Sequence, residues 1–333
     1  MPTSDFIAQL ARGDLFILDG ATGTELTRRG VDTTLPLWSA GALIDPQGPD
    51  VLRCIHGDYI RAGAHIVTAN TFRTHRRSLA KGGHGTRARE LTHLAVQLVR
   101  EAVEQVPAAH RVFVAGSIAP LEDCYSPQLV PPDDELRTEH AEMVRHLAEA
   151  GVDVMLVETM NTIREARIAA EAARSAGLPV MVSFVCAGAT PLGGGQARAR
   201  AAGEPVRLDG EPHLLSGERL SDAVRAVEPL EPAAIMVNCA PVAMIEGLLR
   251  GLRAATGRPP NASIGGRPIG AYGNVGHVDE RVGWTLTRAI TPGQYAAAAR
   301  GWRDLGASII GGCCGTTPEH IAALALALHP QPT

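Results

Sequence analysis

Val154-Met155-Leu156-Val157 is followed by Glu158-Thr159, then by an Ala/Arg-rich run over 162–176, then by Val180-Met181-Val182-Ser183-Phe184-Val185. A short β-branched apolar run, a helix-length amphipathic stretch and a second apolar run form a strand–helix–strand unit of the kind that builds a parallel sheet. The pattern continues in both directions. Further strand candidates fall at 16–18, 65–69, 112–115, 234–237, 268–271 and 308–310, with helix candidates at 49–62, 88–106, 135–150, 220–228, 242–255, 292–305 and 318–328. Eight strands alternating with eight helices predict an α/β fold, a (β/α)8 TIM barrel, as a single domain over 1–333.

One segment breaks the rhythm. Residues 187–217 are rich in Gly, Ala, Arg and Pro and exceed an ordinary βα loop, which predicts a flexible insertion serving as a spacer or a lid.

Composition narrows the partners. Of 333 residues, 45% are apolar and 20% charged, a globular balance able to fill a barrel core. A net charge of -4 with no block of like charge gives no reason to expect nucleic acid or an anionic membrane, so small molecules are the expected partners. The first fifteen residues lack the charged start and apolar run of a signal peptide, and no stretch of about 20 apolar residues could span a bilayer. A cytoplasmic protein is expected. Cys313 and Cys314 are adjacent, whereas Cys54, Cys124, Cys186 and Cys239 are scattered; in a reducing compartment this suggests metal ligation or buried structural thiols, not disulfides. Gly20-Ala21-Thr22-Gly23 lacks the downstream spacing of a dinucleotide fingerprint. His56, His65, His75, His84, His93, His140, His146, His277 and His320 form no compact metal motif and are expected mostly at the surface or on helix faces.

Barrel chemistry sits at the C-terminal strand ends, so the residues there carry the most information. In order they are Asp19-Gly20-Ala21, Asn70-Thr71-Phe72, Gly116-Ser117, Glu158-Thr159, Cys186, Asn238-Cys239, Tyr272-Gly273-Asn274 and Gly311-Gly312-Cys313-Cys314-Gly315. A vicinal Cys pair in an extended strand would point opposite ways, but in a glycine-rich turn both sulfurs can face one centre. Alone, such a pair reads equally as inert buried thiols. Cys239, two strands away, adds a third sulfur, and three thiolates with one open position make a catalytic zinc site. A free thiol is mostly protonated at neutral pH and a metal removes that proton, so the donor set suits thiol alkylation better than hydrolysis.

Asp19-Gly20-Ala21-Thr22-Gly23-Thr24, Asn238-Cys239 and Gly311-Gly312-Cys313-Cys314-Gly315-Thr316-Thr317-Pro318 together resemble the homocysteine S-methyltransferase family over nearly the whole chain. Pro36-Leu37-Trp38-Ser39-Ala40 and Tyr59-Ile60-Arg61-Ala62-Gly63-Ala64 further resemble its branch using S-methylmethionine or S-adenosylmethionine. The resemblance implies zinc on Cys239, Cys313 and Cys314. It implies that Asp19 and Glu158 receive the amino group of homocysteine and that backbone N–H groups after Asp19, at Gly20 and Ala21, hold its carboxylate. Asn274 matches a position that fills the metal's free site before substrate arrives. Without the resemblance, Asp19 reads as a turn or helix cap, Glu158 as a surface ion pair and Asn274 as a turn former.

A sulfonium donor is a cation, for which Trp38 and Phe72 offer aromatic faces; either residue could instead pack the barrel mouth. Thr71-Phe72 is closer to the cobalamin-dependent branch, and the 187–217 insertion departs from the family pattern. No long extension follows the barrel, unlike the betaine-using tetramers, and no cobalamin or folate modules are attached. The expected reaction is therefore zinc-dependent methyl transfer from a sulfonium to homocysteine, giving methionine. Another thiol acceptor, a methylated corrinoid protein as donor, and a non-catalytic zinc-binding partner subunit are the alternatives.

Overall fold

A computed structural model describes residues 2–187, 210–257, 266–275, 277–279, 283–285 and 290–329. Barrel strands β1 (Phe16–Ile17), β2 (Ile66–Ala69), β3 (Phe113–Ile118), β4 (Val154–Met160), β5 (Val180–Phe184), β6 (Ala234–Pro241), β7 (Ile269–Asn274) and β8 (Ala307–Gly312) pair in parallel in chain order, with β8 returning to β1. Closure between β1 and β2 rests on a parallel bridge of Leu18 with Ile66 and on the Asp19 N–H donating to the Ile66 carbonyl at 3.0 Å. The fold is the (β/α)8 barrel that the alternation of runs implies.

The helices are α1 (Pro2–Arg12), α2 (Gly23–Arg28), α3 (Gly48–Arg61), α4 (Arg76–Lys81), α5 (Ala88–Gln105), α6 (Asp133–Ala150), α7 (Ile163–Arg174), α8 (Leu220–Val227), α9 (Val242–Thr256), α10 (Pro292–Asp304) and α11 (Pro318–Leu328). Their starts follow sequence logic: Thr162 caps α7 by accepting from the Glu165 N–H, and Thr291 with Gln294 forms a reciprocal capping box on α10, whose next residue is Pro292.

Alternation along each strand sorts the core into two bodies. Met155 and Val157 of β4 face the helices, while Val154 and Leu156 join Phe16, Phe113, Met181, Met236 and Ile309 inside the barrel. Helix α1 was absent from the sequence reading, and it closes the N-terminal end: Phe6 lies 5.1 Å from the Phe16 ring and 5.2 Å from the Phe113 ring. A hydrophobic plug at one end leaves the other as the only mouth that polar chemistry can use.

Strands β3, β4, β6 and β7 run beyond the apolar runs that announced them, which places Ser117, Glu158, Cys239 and Asn274 within the strands, at the C-terminal ends expected of them. Polar side chains are tolerated there because the top interior layer of the barrel is itself polar. Two sequence expectations need correction. Of the 187–217 insertion, 188–209 lie outside the described residues, but its flanks belong to the barrel: Leu214 is fully buried and bridges Cys186, and the Ala187 N–H donates to the His213 carbonyl. His56, His75, His140, His146 and His320 are buried, four of them on the inner faces of helices α3, α6 and α11 and His75 at the start of α4; His277 carries no described side chain. An antiparallel pair, His277–Asp279 with Gly283–Thr285, follows β7 and had no signal in the pattern.

Candidate active site

The C-terminal ends of β1, β2, β3, β4, β6, β7 and β8 line a cavity of about 1150 Å3, with Asp19, Gly20, Ala21, Trp38, Phe72, Glu158, Cys239, Cys313 and Cys314 on its wall. Its metal-competent corner is a trio of thiols. The sulfurs of Cys239, Cys313 and Cys314 lie within 4.8 Å of one another, with Cys239 Sγ 3.1 Å from Cys313 Sγ and Cys313 Sγ 4.0 Å from Cys314 Sγ. All six cysteines of the chain are free.

Backbone geometry explains the convergence. Cys239 has φ +53°, in the left-handed region that non-glycine residues rarely adopt, and the β6–β7 register shifts between Asn238 and Pro241. Such a bulge re-aims a side chain that strand alternation would have turned away from the mouth. Thr159 at the end of β4 is left-handed too, and Asn238 ties the two irregular ends together. Asn238 Oδ1 accepts from the Thr159 N–H (3.2 Å) and the Ser183 hydroxyl (2.8 Å), and its amide nitrogen donates to Thr159 Oγ1 (2.8 Å). On the other side the Cys313-Cys314 turn is set by Gly315 at φ +82° and pinned by the Cys313 N–H to Gly273 carbonyl (2.8 Å) and Gly315 N–H to Thr24 Oγ1 (3.0 Å) contacts. Tyr295, from α10, donates its hydroxyl proton to the Gly311 carbonyl at 2.6 Å and accepts from the Gly273 N–H, clamping β7 to β8. Nothing in the sequence around Tyr295 marked it.

Cys239 and Cys314 are buried and Cys313 is half-buried. Hydrogen bonding with Cys239 and Cys314 pulls Cys313 well below the ordinary thiol range, while hydrogen bonding with Cys239 first, and then with Cys313, pushes Cys314 up. Three thiol sulfurs gathered at one point form a donor set of the kind that ligates a soft divalent ion. Asn274, at the end of β7, is 2% exposed, and neither its amide oxygen nor its nitrogen has a partner among the described residues. A buried, unsatisfied amide calls for an ion, water or ligand.

Two carboxylates face the same cavity. Asp19 is 2% exposed and takes the Thr68 N–H (2.8 Å) and the Thr68 hydroxyl (3.0 Å), so it is neither a turn nor a helix cap. Glu158 is 8% exposed and accepts from the hydroxyls of Ser117 and Tyr272 (2.9 Å), which rules out a surface ion pair. Burial pushes the Asp19 carboxyl up to about 8, with Glu158 adding repulsion, and burial pushes Glu158 up to about 7. No cation among the described residues pairs with either, an arrangement suited to an incoming ammonium. The Ala21 N–H, expected to face a substrate carboxylate, instead donates to Thr316 Oγ1 at 3.1 Å, while the Tyr59 hydroxyl holds the Ala21 carbonyl. The unpaired donors therefore belong to Gly20 and to the first turn of α2, whose N–H groups lack intrahelical acceptors.

Trp38 and Phe72 meet edge to face, with ring centroids 5.7 Å apart, on the cavity wall. A Cβ on Gly23 would come within 2.4 Å of the Trp38 ring, so glycine there is what lets the indole lie over the start of α2.

A closed α/β barrel with a thiol cluster and two uncompensated carboxylates at one mouth defines an enzyme of small-molecule chemistry, not a binding scaffold. The family model for homocysteine S-methyltransferase matches residues 16–328, and the chain belongs to that family. Homocysteine S-methyltransferase YbgG of Bacillus subtilis is 29% identical, the match covering 93% of both chains. Homocysteine S-methyltransferase of Escherichia coli is 30% identical over 95% of this chain and 96% of its own. The metallated crystal form of the E. coli homocysteine methyltransferase MmuM superposes with a TM-score of 0.74 at 27% identity, covering 95% and 97% of the two chains. No helix among the described residues is long and apolar enough to cross a membrane.

Proposed function

We propose that the protein transfers a methyl group from a sulfonium donor, S-methylmethionine or S-adenosylmethionine, to the sulfur of homocysteine, giving methionine, and that it does so with zinc in the cytoplasm. The observation that carries this reading is the convergence of Cys239, Cys313 and Cys314 on one point of a cavity that also holds Asp19 and Glu158.

Cys239, Cys313 and Cys314 would hold the zinc ion, with the orphaned amide of Asn274 at hand for a further position. When bound, zinc supplies the positive charge that keeps a substrate thiol deprotonated at neutral pH. Soft thiolate donors suit it, and the mutual repulsion of three buried sulfurs is relieved by it.

The chain's own residues then supply orientation. Asp19, fixed by the Thr68 N–H and hydroxyl, and Glu158, fixed by the Ser117 and Tyr272 hydroxyls, take the ammonium of homocysteine, so little freedom is lost on binding. Gly20 and the first turn of α2 present N–H groups to the carboxylate. Gripped at both charged ends, the amino acid directs its thiol to the sulfur corner. Trp38 and Phe72 face the sulfonium, and their attraction weakens as its charge disappears, which favours product release. In the transfer the homocysteine sulfur, its proton already lost to solvent, forms a bond to the methyl carbon; the bond to the donor sulfur breaks and that sulfur keeps the electron pair, becoming a neutral thioether. Asp19, Glu158 and the buried wall exclude water from the line of attack.

Incubating zinc-loaded protein with homocysteine and each methyl donor in turn, with methionine followed by mass spectrometry, tests the reading. Methionine formed from a sulfonium and not from a methylated corrinoid protein supports it; methylation of other thiols in preference to homocysteine would replace the acceptor.

A further inference from the structure

The cavity is larger than one amino acid needs, and its lining includes two cations, Arg73 and Lys81. Lys81 is ion-paired with Glu122. Arg73 has no ion pair and no hydrogen bond among the described residues, and its Nε is buried without a partner. Its sole contact of note is the stacking of its guanidinium over the Phe72 ring at 5.9 Å.

This unpaired guanidinium is held in place. It belongs to the β2–α4 connection, where Thr71 accepts from the Ser117 N–H (3.0 Å) and donates to the Ser117 carbonyl (2.9 Å), Thr74 bonds Thr92 (2.8 Å), and Asn70 donates to the Ser39 carbonyl (2.8 Å). The backbone on both sides of Phe72-Arg73 is therefore fixed to the barrel and to the segment carrying Trp38. Arg73 lines the same cavity as Cys239, Cys313 and Cys314.

An unpaired, partly desolvated guanidinium beside an aromatic wall is an incomplete recognition element, and its planar fork matches a carboxylate. The homocysteine end of the cavity already has its own anion donors at Gly20 and α2, so Arg73 faces the other substrate. Resting on the methyl-transfer reading above, we propose that Arg73 binds the carboxylate of the methyl donor, and so restricts donors to sulfonium compounds that are themselves amino acids. Phe72 then carries two duties, supporting the guanidinium on one side and meeting the sulfonium beside Trp38.

The test compares parent, Arg73→Ala and Arg73→Lys, all zinc-loaded, with S-methylmethionine and with its carboxamide, in which the carboxylate is neutral. Loss of a charge-assisted bond should raise the KM for S-methylmethionine by about tenfold to a hundredfold in Arg73→Ala, leaving kcat, the homocysteine KM and zinc content as in the parent. The carboxamide should be a poor donor for the parent and no poorer for Arg73→Ala, and Arg73→Lys should recover part of the loss. An unchanged donor KM, or an equal rise in the homocysteine KM or in the carboxamide KM, would overturn the assignment while leaving the donor reading intact. A parent that transferred methyl from no sulfonium would instead remove the donor reading and this assignment with it.

Discussion

Replacing Glu158 by Gln separates recognition of homocysteine from possession of a thiol site. The carboxylate accepts from the Ser117 and Tyr272 hydroxyls. A Gln amide keeps the shape, and either hydroxyl can turn from donor to acceptor, so the fold should survive with little loss. What disappears is the negative charge facing the substrate ammonium. A hydrogen bond to a charged group contributes about 1.5–3 kcal/mol, so homocysteine should bind roughly tenfold to 150-fold more weakly. The neighbouring Asp19, itself 2% exposed, retains its grip on the amine, which keeps the loss within that range instead of abolishing binding. Calorimetric titration of zinc-loaded parent and variant with homocysteine and with 4-mercaptobutanoate, which lacks the amino group, reads the effect directly, with zinc measured by mass spectrometry in parallel. Equal weakening for both thiols, or none for homocysteine, would show that Glu158 does not face the amine.

The raised carboxyls also predict a pH dependence. Asp19 and Glu158 hold protons up to about 8 and 7 in the free protein, and the ammonium complex needs them ionised, so binding releases protons and strengthens as pH rises to about 8. Titration with homoserine, which has no thiol to confuse the profile, should show weakening below pH 7; a flat profile from pH 5 to 8 would contradict the assignment. Changing Cys239, Cys313 or Cys314 to Ala should lower zinc content and activity together, and full occupancy in the triple variant would exclude the trio as the metal site. Asn238→Ala removes three bonds that hold Thr159 and Cys239 in left-handed geometry, for an expected loss of about 2–4 kcal/mol in denaturant unfolding and weaker zinc retention. Unaltered zinc affinity in that variant would mean that Cys239 holds its position without Asn238.

The barrel was legible because each βα unit is local: a β-branched run and the amphipathic helix after it declare themselves within about thirty residues. Helix α1 escaped because its role is tertiary, with Phe6 inserted between Phe16 and Phe113. Cys239, Cys313 and Cys314 were readable as a set because thiols at strand ends of one barrel share a mouth, and Asp19 and Glu158 were readable through the motifs around them. Thr68, Ser117, Tyr295 and Thr316 were not, since hydroxyls are common and only their partners give them meaning.

The sequence by itself thus determined the order of the barrel strands, the end of the barrel that carries the polar groups, and which sulfurs and carboxylates gather there. Tertiary structure alone decided how those groups are presented. It turned Cys239 into the cavity through a bulge fixed by Asn238, and it took the Ala21 N–H out of the substrate's reach by pairing it with Thr316. It also left Arg73 without an ion pair among the described residues, its Nε buried and unpartnered. The physical reason is that residue type and spacing set what a side chain can do and roughly where it falls, whereas hydrogen-bond partners, desolvation and backbone strain arise between segments far apart in the chain, here up to 295 residues for Ala21 and Thr316.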